Sequence, residues 1–207
     1  MRIEPRRVRL IDPIPEEQIL AKIERAGRTC YQSEAKGDPR EFIERLIEKE
    51  HLSVLEHGSV TFEAVTTRAL ANQLVRHRIA SYSQESTRYC NYSKGKFDGE
   101  IAVIKPTRLE GKAYLIWVEA MKNAEKAYIE LIQEGTPPEV ARGVLPLDTK
   151  TSIVVTMNFR ALREFLQKRL HKDAQQEMQV LAKLLLAELV WEYPTIFKDL
   201  EVKQWMK

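Results

Sequence analysis

Ser59-Val60-Thr61-Phe62-Glu63-Ala64-Val65-Thr66-Thr67 alternates with period two, setting Val60, Phe62 and Ala64 against Thr61 and Glu63. That pattern specifies a strand with one face in a core. Only Arg68 separates it from Ala69 to Ile79, which reads as a helix. Working outward, strand and helix signals keep alternating. Upstream, residues 1–12 set Val8 and Leu10 against Arg7 and Arg9 and read as a strand, punctuated by Pro13 and Pro15. Glu16 to Tyr31 has acids in its first turn and Ile19, Leu20, Ile23 and Ala26 on one face, which predicts a helix. Gly37-Asp38-Pro39 is a turn and cap before a helix from Glu41 to Glu50, with Phe42, Ile43, Leu46 and Ile47 inward. Downstream, the polar and aromatic segment 81–100, with Gly95 and Gly99, reads as a long loop. Ile101 to Ile104 is a short strand, and Leu109 to Glu134 a long helix closed by Gly135. Pro137-Pro138 opens a short helix reaching Val144. Thr151 to Asn158 is β-branched and reads as a strand, and Ala161 to Trp191 as one or two helices. There is no repeat, low-complexity tract or linker, so the simplest organisation is one helix-rich α+β domain.

The chain has 207 residues, 43% hydrophobic and 30% charged, enough for one sizeable core. Its 33 basic and 30 acidic residues give a net charge of +3. That is too balanced for a general nucleic-acid coat, so any functional positive charge is local. Two cysteines, Cys30 and Cys90, make neither a disulfide framework nor a four-cysteine zinc site, which suggests a reduced, cytoplasmic setting. The Arg-rich start, Met1 to Leu10, lacks an apolar signal core. No stretch approaches the roughly 20 apolar residues that cross a membrane.

The local charge lies in Arg76-His77-Arg78-Ile79-Ala80-Ser81-Tyr82-Ser83-Gln84-Glu85-Ser86-Thr87-Arg88. Arginine is always charged, and its planar fork of donors matches phosphate oxygens. On a helix, Arg76, His77 and Arg78 point in three directions, so a large ligand or a shared site suits them better than one small ligand. Gln73 shares a face with Arg76. Ser86 and Arg88 are two apart, so in an extended segment they point the same way and could cradle a phosphate. Ser86 lacks the glycine-elbow context of a nucleophile. The bland alternatives are a basic helix end complementing its dipole and an ordinary polar loop.

Other segments read less sharply. His51-Leu52-Ser53-Val54-Leu55-Glu56-His57 invites a metal site, but its spacing matches neither His-Glu-x-x-His nor His-x-x-Glu-His, so none is expected. It reads as a helix-capping segment or a loop lining a site. Asn158-Phe159-Arg160 follows a strand, where ligand sites open, or else Asn158 caps the next helix. Glu139 and Arg142 are spaced for a surface ion pair. Arg169, Gln175 and Glu177 lie on mixed-charge helical sequence. No phosphate-binding glycine motif occurs.

Together these segments resemble the flavin-dependent thymidylate synthase family. Arg76-His77-Arg78, seven residues, then Ser86 is that family's signature, extended by Arg88 and Tyr89. His51 to His57 resembles its His-x-Ser/Thr-x-x-Glu-His segment, and Ala141-Arg142 with Leu145-Pro146 its Ala-Arg-x-x-Leu-Pro segment. Asn158 to Arg160, and Arg169 with Ala174-Gln175 and Glu177, resemble its C-terminal motifs. The resemblance implies one domain over residues 1–207, with an antiparallel sheet packed with long helices. It implies conversion of dUMP to dTMP with methylenetetrahydrofolate as carbon donor and FAD, reduced by NADPH, as hydride source. It also implies a homotetramer with shared sites. Ser53, Arg76, His77, Arg78, Gln84, Asn158 and Arg160 would contact FAD. Gln73, Arg76, Gln84, Glu85, Ser86, Thr87, Arg88, Arg142 and Arg169 would contact dUMP. Arg169 would be catalytic, stabilising an anionic pyrimidine.

Four positions depart from the family pattern. Ser83 and Gln84 stand where Asn and Glu are common, Glu164 where some relatives have Asn, and Asp173 where some have His. Ser83 and Gln84 motivate a second reading, a catalytically impaired nucleotide- and flavin-binding sensor. A nucleic-acid-binding module, the third, is disfavoured by the near-neutral charge.

Overall fold

The computed structural model describes residues 1–204 except Tyr31 and Asp98. In chain order the elements are β1 (Arg2–Ile3), β2 (Arg7–Ile11), α1 (Glu16–Thr29), α2 (Pro39–Glu48), a 3-10 segment (Leu52–His57), β3 (Ser59–Thr67) and α3 (Arg68–Leu74). Then come β4 (Ala80–Gln84), β5 (Ala102–Val103), α4 (Gly111–Gln133), α5 (Pro138–Ala141), β6 (Lys150–Asn158), α6 (Phe159–Leu170), α7 (Gln176–Glu192) and α8 (Pro194–Gln204). The class is α+β with an antiparallel sheet. Its four strands run in the order β2-β3-β6-β4, and β1 pairs separately with β5, in parallel.

The quoted strand is β3 over the residues its alternation marks. Thr67 ends it and caps α3, accepting the Leu70 N–H at 3.2 Å. Asp38 caps α2, its carboxylate taking the Arg40 N–H at 2.9 Å, with Pro39 at the first helical position. Several boundaries differ from expectation. The strand expected over residues 1–12 is two strands, because Pro5, just after the last β1-side bond from the Glu4 N–H to the Val103 carbonyl, lacks an N–H for a ladder. Helix α1 ends at Thr29, and the Tyr31 end expected for it lies outside the described residues. Helix α3 stops at Leu74, where the Val75 N–H closes the last turn on Ala71 and Gln73 carbonyls. Ser81 to Gln84, expected as loop, belong to β4 (Ala80–Gln84). The segment after α6 breaks before α7 begins, and α8 was not expected.

The chain packs as two compact units, each assembled from separated segments. One comprises Met1–Arg7, Ala64–Arg76 and Ser83–Ile153. Its core gathers Tyr92, Ile101, Val103, Met121, Tyr128 and Ala141. Trp117 Nε1 donates to Asp148 at 2.8 Å, satisfying the polar end of a large apolar ring. The other comprises Val8–Glu63, His77–Tyr82 and Val154–Lys207. There α6, α7 and α8 pack together, and the Phe159 ring lies tilted against Tyr193 and edge-on to Phe197, with centroids 4.9 and 5.6 Å apart. Buried Arg163 of α6 clamps α8, donating to both Asp199 carboxylate oxygens (2.6 and 2.7 Å) and to the Ile196 carbonyl.

Candidate active site

The arginine run does not sit on a helix. After α3 it forms a turn and an open connection into β4, and its side chains divide by environment. Arg76 and Arg78 are exposed, and among the described residues neither guanidinium has an acidic partner. His77 is half-buried, edge-on to Phe165 with ring centroids 4.9 Å apart. Its Nε2 accepts the Nε–H of Arg169 at 3.0 Å. Burial, then the charges of Arg169 and Lys168, lower the His77 pKa below the ordinary 6.5. The Tyr82 hydroxyl donates to the His77 carbonyl at 2.6 Å, and burial raises that phenol to about 12. Arg169 lies in the last turn of α6, where a cation complements the helix dipole. So His77 and Arg169, 92 positions apart, meet in one unit. Gln167, Lys168, His171, Asp173 and Ala174 line an open hollow with Arg169.

Residues Glu85 to Cys90 lie in the other unit. The extended geometry expected for Ser86 and Arg88 is not found; the chain turns there. Ser86 Oγ accepts the Arg88 N–H at 3.3 Å, and its carbonyl accepts the N–H groups of Tyr89 and Cys90. A hydroxyl that bonds two residues on favours such turns. Arg88 reaches Glu139 at 3.5 Å, both exposed. The pair expected between Glu139 and Arg142 is therefore replaced. Arg142 donates instead to the Glu139 carbonyl (3.1 Å) and to Thr87 Oγ1 (3.3 Å). Gln84 donates to Thr151 Oγ1 at 3.2 Å. The Glu85 carboxylate takes Lys150 Nζ (3.1 Å), the Ser152 N–H (3.2 Å) and the Tyr92 hydroxyl (3.2 Å), so its oxygens are engaged by the fold. Gln73 sits half-buried on α3. Sequence reasoning missed Arg68, Lys150 and Thr151. Arg68 Nη1 reaches the Glu85 carbonyl (3.2 Å) and Thr151 Oγ1 (3.4 Å). A lone arginine just past a Thr-Thr strand end was the available signal.

The 51–57 and 158–160 segments meet, within one unit. The first folds as a 3-10 segment rather than a cap or open loop. Gly58 follows, and its carbonyl accepts the Phe159 N–H at 3.0 Å. Arg160 Nη1 pairs with Glu56 at 2.6 Å and its Nε with Glu164 at 3.5 Å. Asn158 Oδ1 caps α6, accepting the Ala161 N–H at 2.8 Å. Ser53, in the same 3-10 segment, is exposed. Among the described residues, no group of three or more His, Cys, Asp or Glu could hold a metal ion, and no helix is long and apolar enough to cross a membrane.

Comparisons with known proteins agree in direction. The family model described as "Thymidylate synthase complementing protein" matches residues 9–195. A flavin-dependent thymidylate synthase from Mycobacterium sp. (strain JLS) is 37% identical, over 88% of this chain and 80% of its own. One from Geobacter sulfurreducens is 36% identical, over 93% and 86%. The crystal structure of thymidylate synthase X from Helicobacter pylori, with FAD and dUMP, superposes with a TM-score of 0.77 at 27% identity, over 94% of this chain and 98% of that one.

Proposed function

The chain belongs to the flavin-dependent thymidylate synthase family, and from that premise we propose that it converts dUMP to dTMP by reductive methylation. Methylenetetrahydrofolate gives the carbon, and FAD reduced by NADPH gives the reducing equivalents. The observation that carries this reading is the state of Arg169. It is half-buried, its Nε is tied to His77, and among the described residues its terminal nitrogens have no protein acceptor. A charged planar fork with open donors suits a pyrimidine carrying negative charge at its imide edge.

The residues present fit FAD. Two exposed guanidiniums, Arg76 and Arg78, have no acidic partner among the described residues and match a pyrophosphate. Ser53, His77, Gln84, Asn158 and Arg160 complete the set carried over from the family. FAD supplies hydride-transfer chemistry when bound; the protein positions it and tunes its surroundings. A guanidinium keeps its proton in proteins, so Arg169 acts as a cation and not as a base. It stabilises negative charge on the pyrimidine electrostatically. Arg88 and Arg142 neutralise the dUMP phosphate. The exposed Arg88–Glu139 pair is worth at most about 1 kcal/mol, so a phosphate displaces it at little cost. Ser86, whose oxygen already accepts from the turn, binds rather than attacks; Gln73, Glu85 and Thr87 shape the same nucleotide subsite.

We assign a homotetramer in which each site takes residues from neighbouring copies. Leu115 and Ile116 on α4, with Val140, Val144 and Leu147, are exposed large apolar side chains that assembly would cover. The free thiols of Cys30 and Cys90 fit a cytoplasmic setting. The test is Arg169→Ala. Turnover should fall on the order of 100-fold or more with flavin retained, the loss typical of one electrostatic donor. Unchanged turnover refutes the role. Wild-type protein that binds both ligands without forming dTMP would favour the sensor reading.

A further inference from the structure

The resemblance gives His77 a flavin contact and nothing more. The geometry points to a second task. Its Nε2 accepts from Arg169 Nε at 3.0 Å, so the ring is neutral with its proton on Nδ1. Phe165 packs edge-on against the ring, and the Tyr82 hydroxyl holds the His77 carbonyl at 2.6 Å. Backbone and ring are thus both anchored. The charged groups that face it, Arg169 and Lys168, both come from α6.

A guanidinium is a rigid plane with five N–H donors. Once its Nε–H is committed to a fixed acceptor, rotation of that plane is restricted. The four N–H groups on the terminal nitrogens then point in set directions, before any ligand arrives. We propose that His77 is a positioning residue for the reaction, accepting the Arg169 Nε–H and so aiming its terminal nitrogens at the pyrimidine. This deepens the reading of Arg169 given above and rests on it. Protonating His77 would remove the acceptor and set two cations against each other. Burial and the two neighbouring cations postpone that event to lower pH.

The experiment uses the full-length holoenzyme as wild type, His77→Gln, His77→Leu and Arg169→Ala. Flavin content, kcat and KM for dUMP are measured across pH, with 15N NMR of the His77 ring. A lost hydrogen bond to a charged group predicts kcat/KM for dUMP about tenfold lower in His77→Leu. His77→Gln, which keeps an acceptor, should recover most of it and lose the acidic fall in kcat/KM. The wild-type ring should show the Nδ1–H tautomer, and Arg169→Ala should raise its pKa. Equal impairment of both His77 variants with flavin lost would overturn the proposal in favour of a flavin contact alone. So would an acidic limb that survives in His77→Gln. If His77→Leu does not fold, NMR of wild type and Arg169→Ala decides: an Nε2–H tautomer, or a pKa indifferent to Arg169, overturns it. Full turnover by Arg169→Ala would instead defeat the Arg169 reading itself.

Discussion

At the scale of single residues, side chains that look alike in sequence do different work. Arg76 and Arg78 are exposed and without acidic partners among the described residues, and Arg169 is oriented by a histidine. Arg160 is held by two carboxylates, Glu56 and Glu164. An anionic cofactor competes with those carboxylates for Arg160. Glu164→Gln should therefore tighten FAD binding, measured by equilibrium titration of flavin-free protein; weaker binding would contradict a cofactor role for Arg160. His77 also links pH to folding. Its pKa is lowered on folding, so below about 6.5 the unfolded chain takes up the proton first. The stabilisation it gives is present above that value and is lost as pH falls through the lowered one. Denaturant midpoints measured across this window should show a component that His77→Gln abolishes. The residue types of the site were legible in sequence, because charge and spacing are local properties. Their partners were not. Glu85 reads as one more polar loop residue, yet Lys150, Ser152 and Tyr92 converge on its carboxylate through contacts up to 67 positions away.

At the scale of elements, one corner decides where two family segments meet. A Cβ at Gly58 would lie 2.6 and 2.7 Å from Phe159 ring carbons and 3.2 Å from Ile23. Phe159 is buried against Tyr193 and Phe197 and has no room to yield. Gly58→Ala should therefore cost about 1–3 kcal/mol, the range for overpacking, read from the urea midpoint. An unchanged midpoint would show that the corner relaxes freely. Asp199→Ala should cost about 3 kcal/mol, because it leaves the Arg163 guanidinium buried with its main partner gone. Strands β3 and β6 were legible because alternation and β-branching are written in their own residues. The end of α3 and the existence of β4 were not. Arg76 to Ala80 is compatible with a helix, and Ser81 to Gln84 has no apolar alternation, so long-range strand pairing decided both. The same error misplaced the run itself: the three-way splay of Arg76, His77 and Arg78 was expected from a helix, and these residues lie in a turn and an open connection instead.

At the scale of the whole molecule, the two units interleave along the sequence, so no cut in the chain separates them. That accounts for the absence of a linker signal. The apolar side chains that the proposed homotetramer would cover are visible only in three dimensions. Leu115 and Ile116 are 65% and 62% exposed on α4, which the sequence marks only as a long helix. Replacing both with Lys should leave the monomer folded and shift it from tetramer to smaller species in analytical ultracentrifugation. Turnover should fall with assembly, because each proposed site takes residues from neighbouring copies. A tetramer that survives the change would move the interface elsewhere. The central claim is tested most directly by following the flavin of the purified protein without oxygen. The purified protein should be yellow and bleach with NADPH, its colour returning only when dUMP and methylenetetrahydrofolate are both added, with dTMP formed in proportion. A protein that binds no FAD, or whose flavin is reduced and reoxidised with no dTMP, would contradict the central claim.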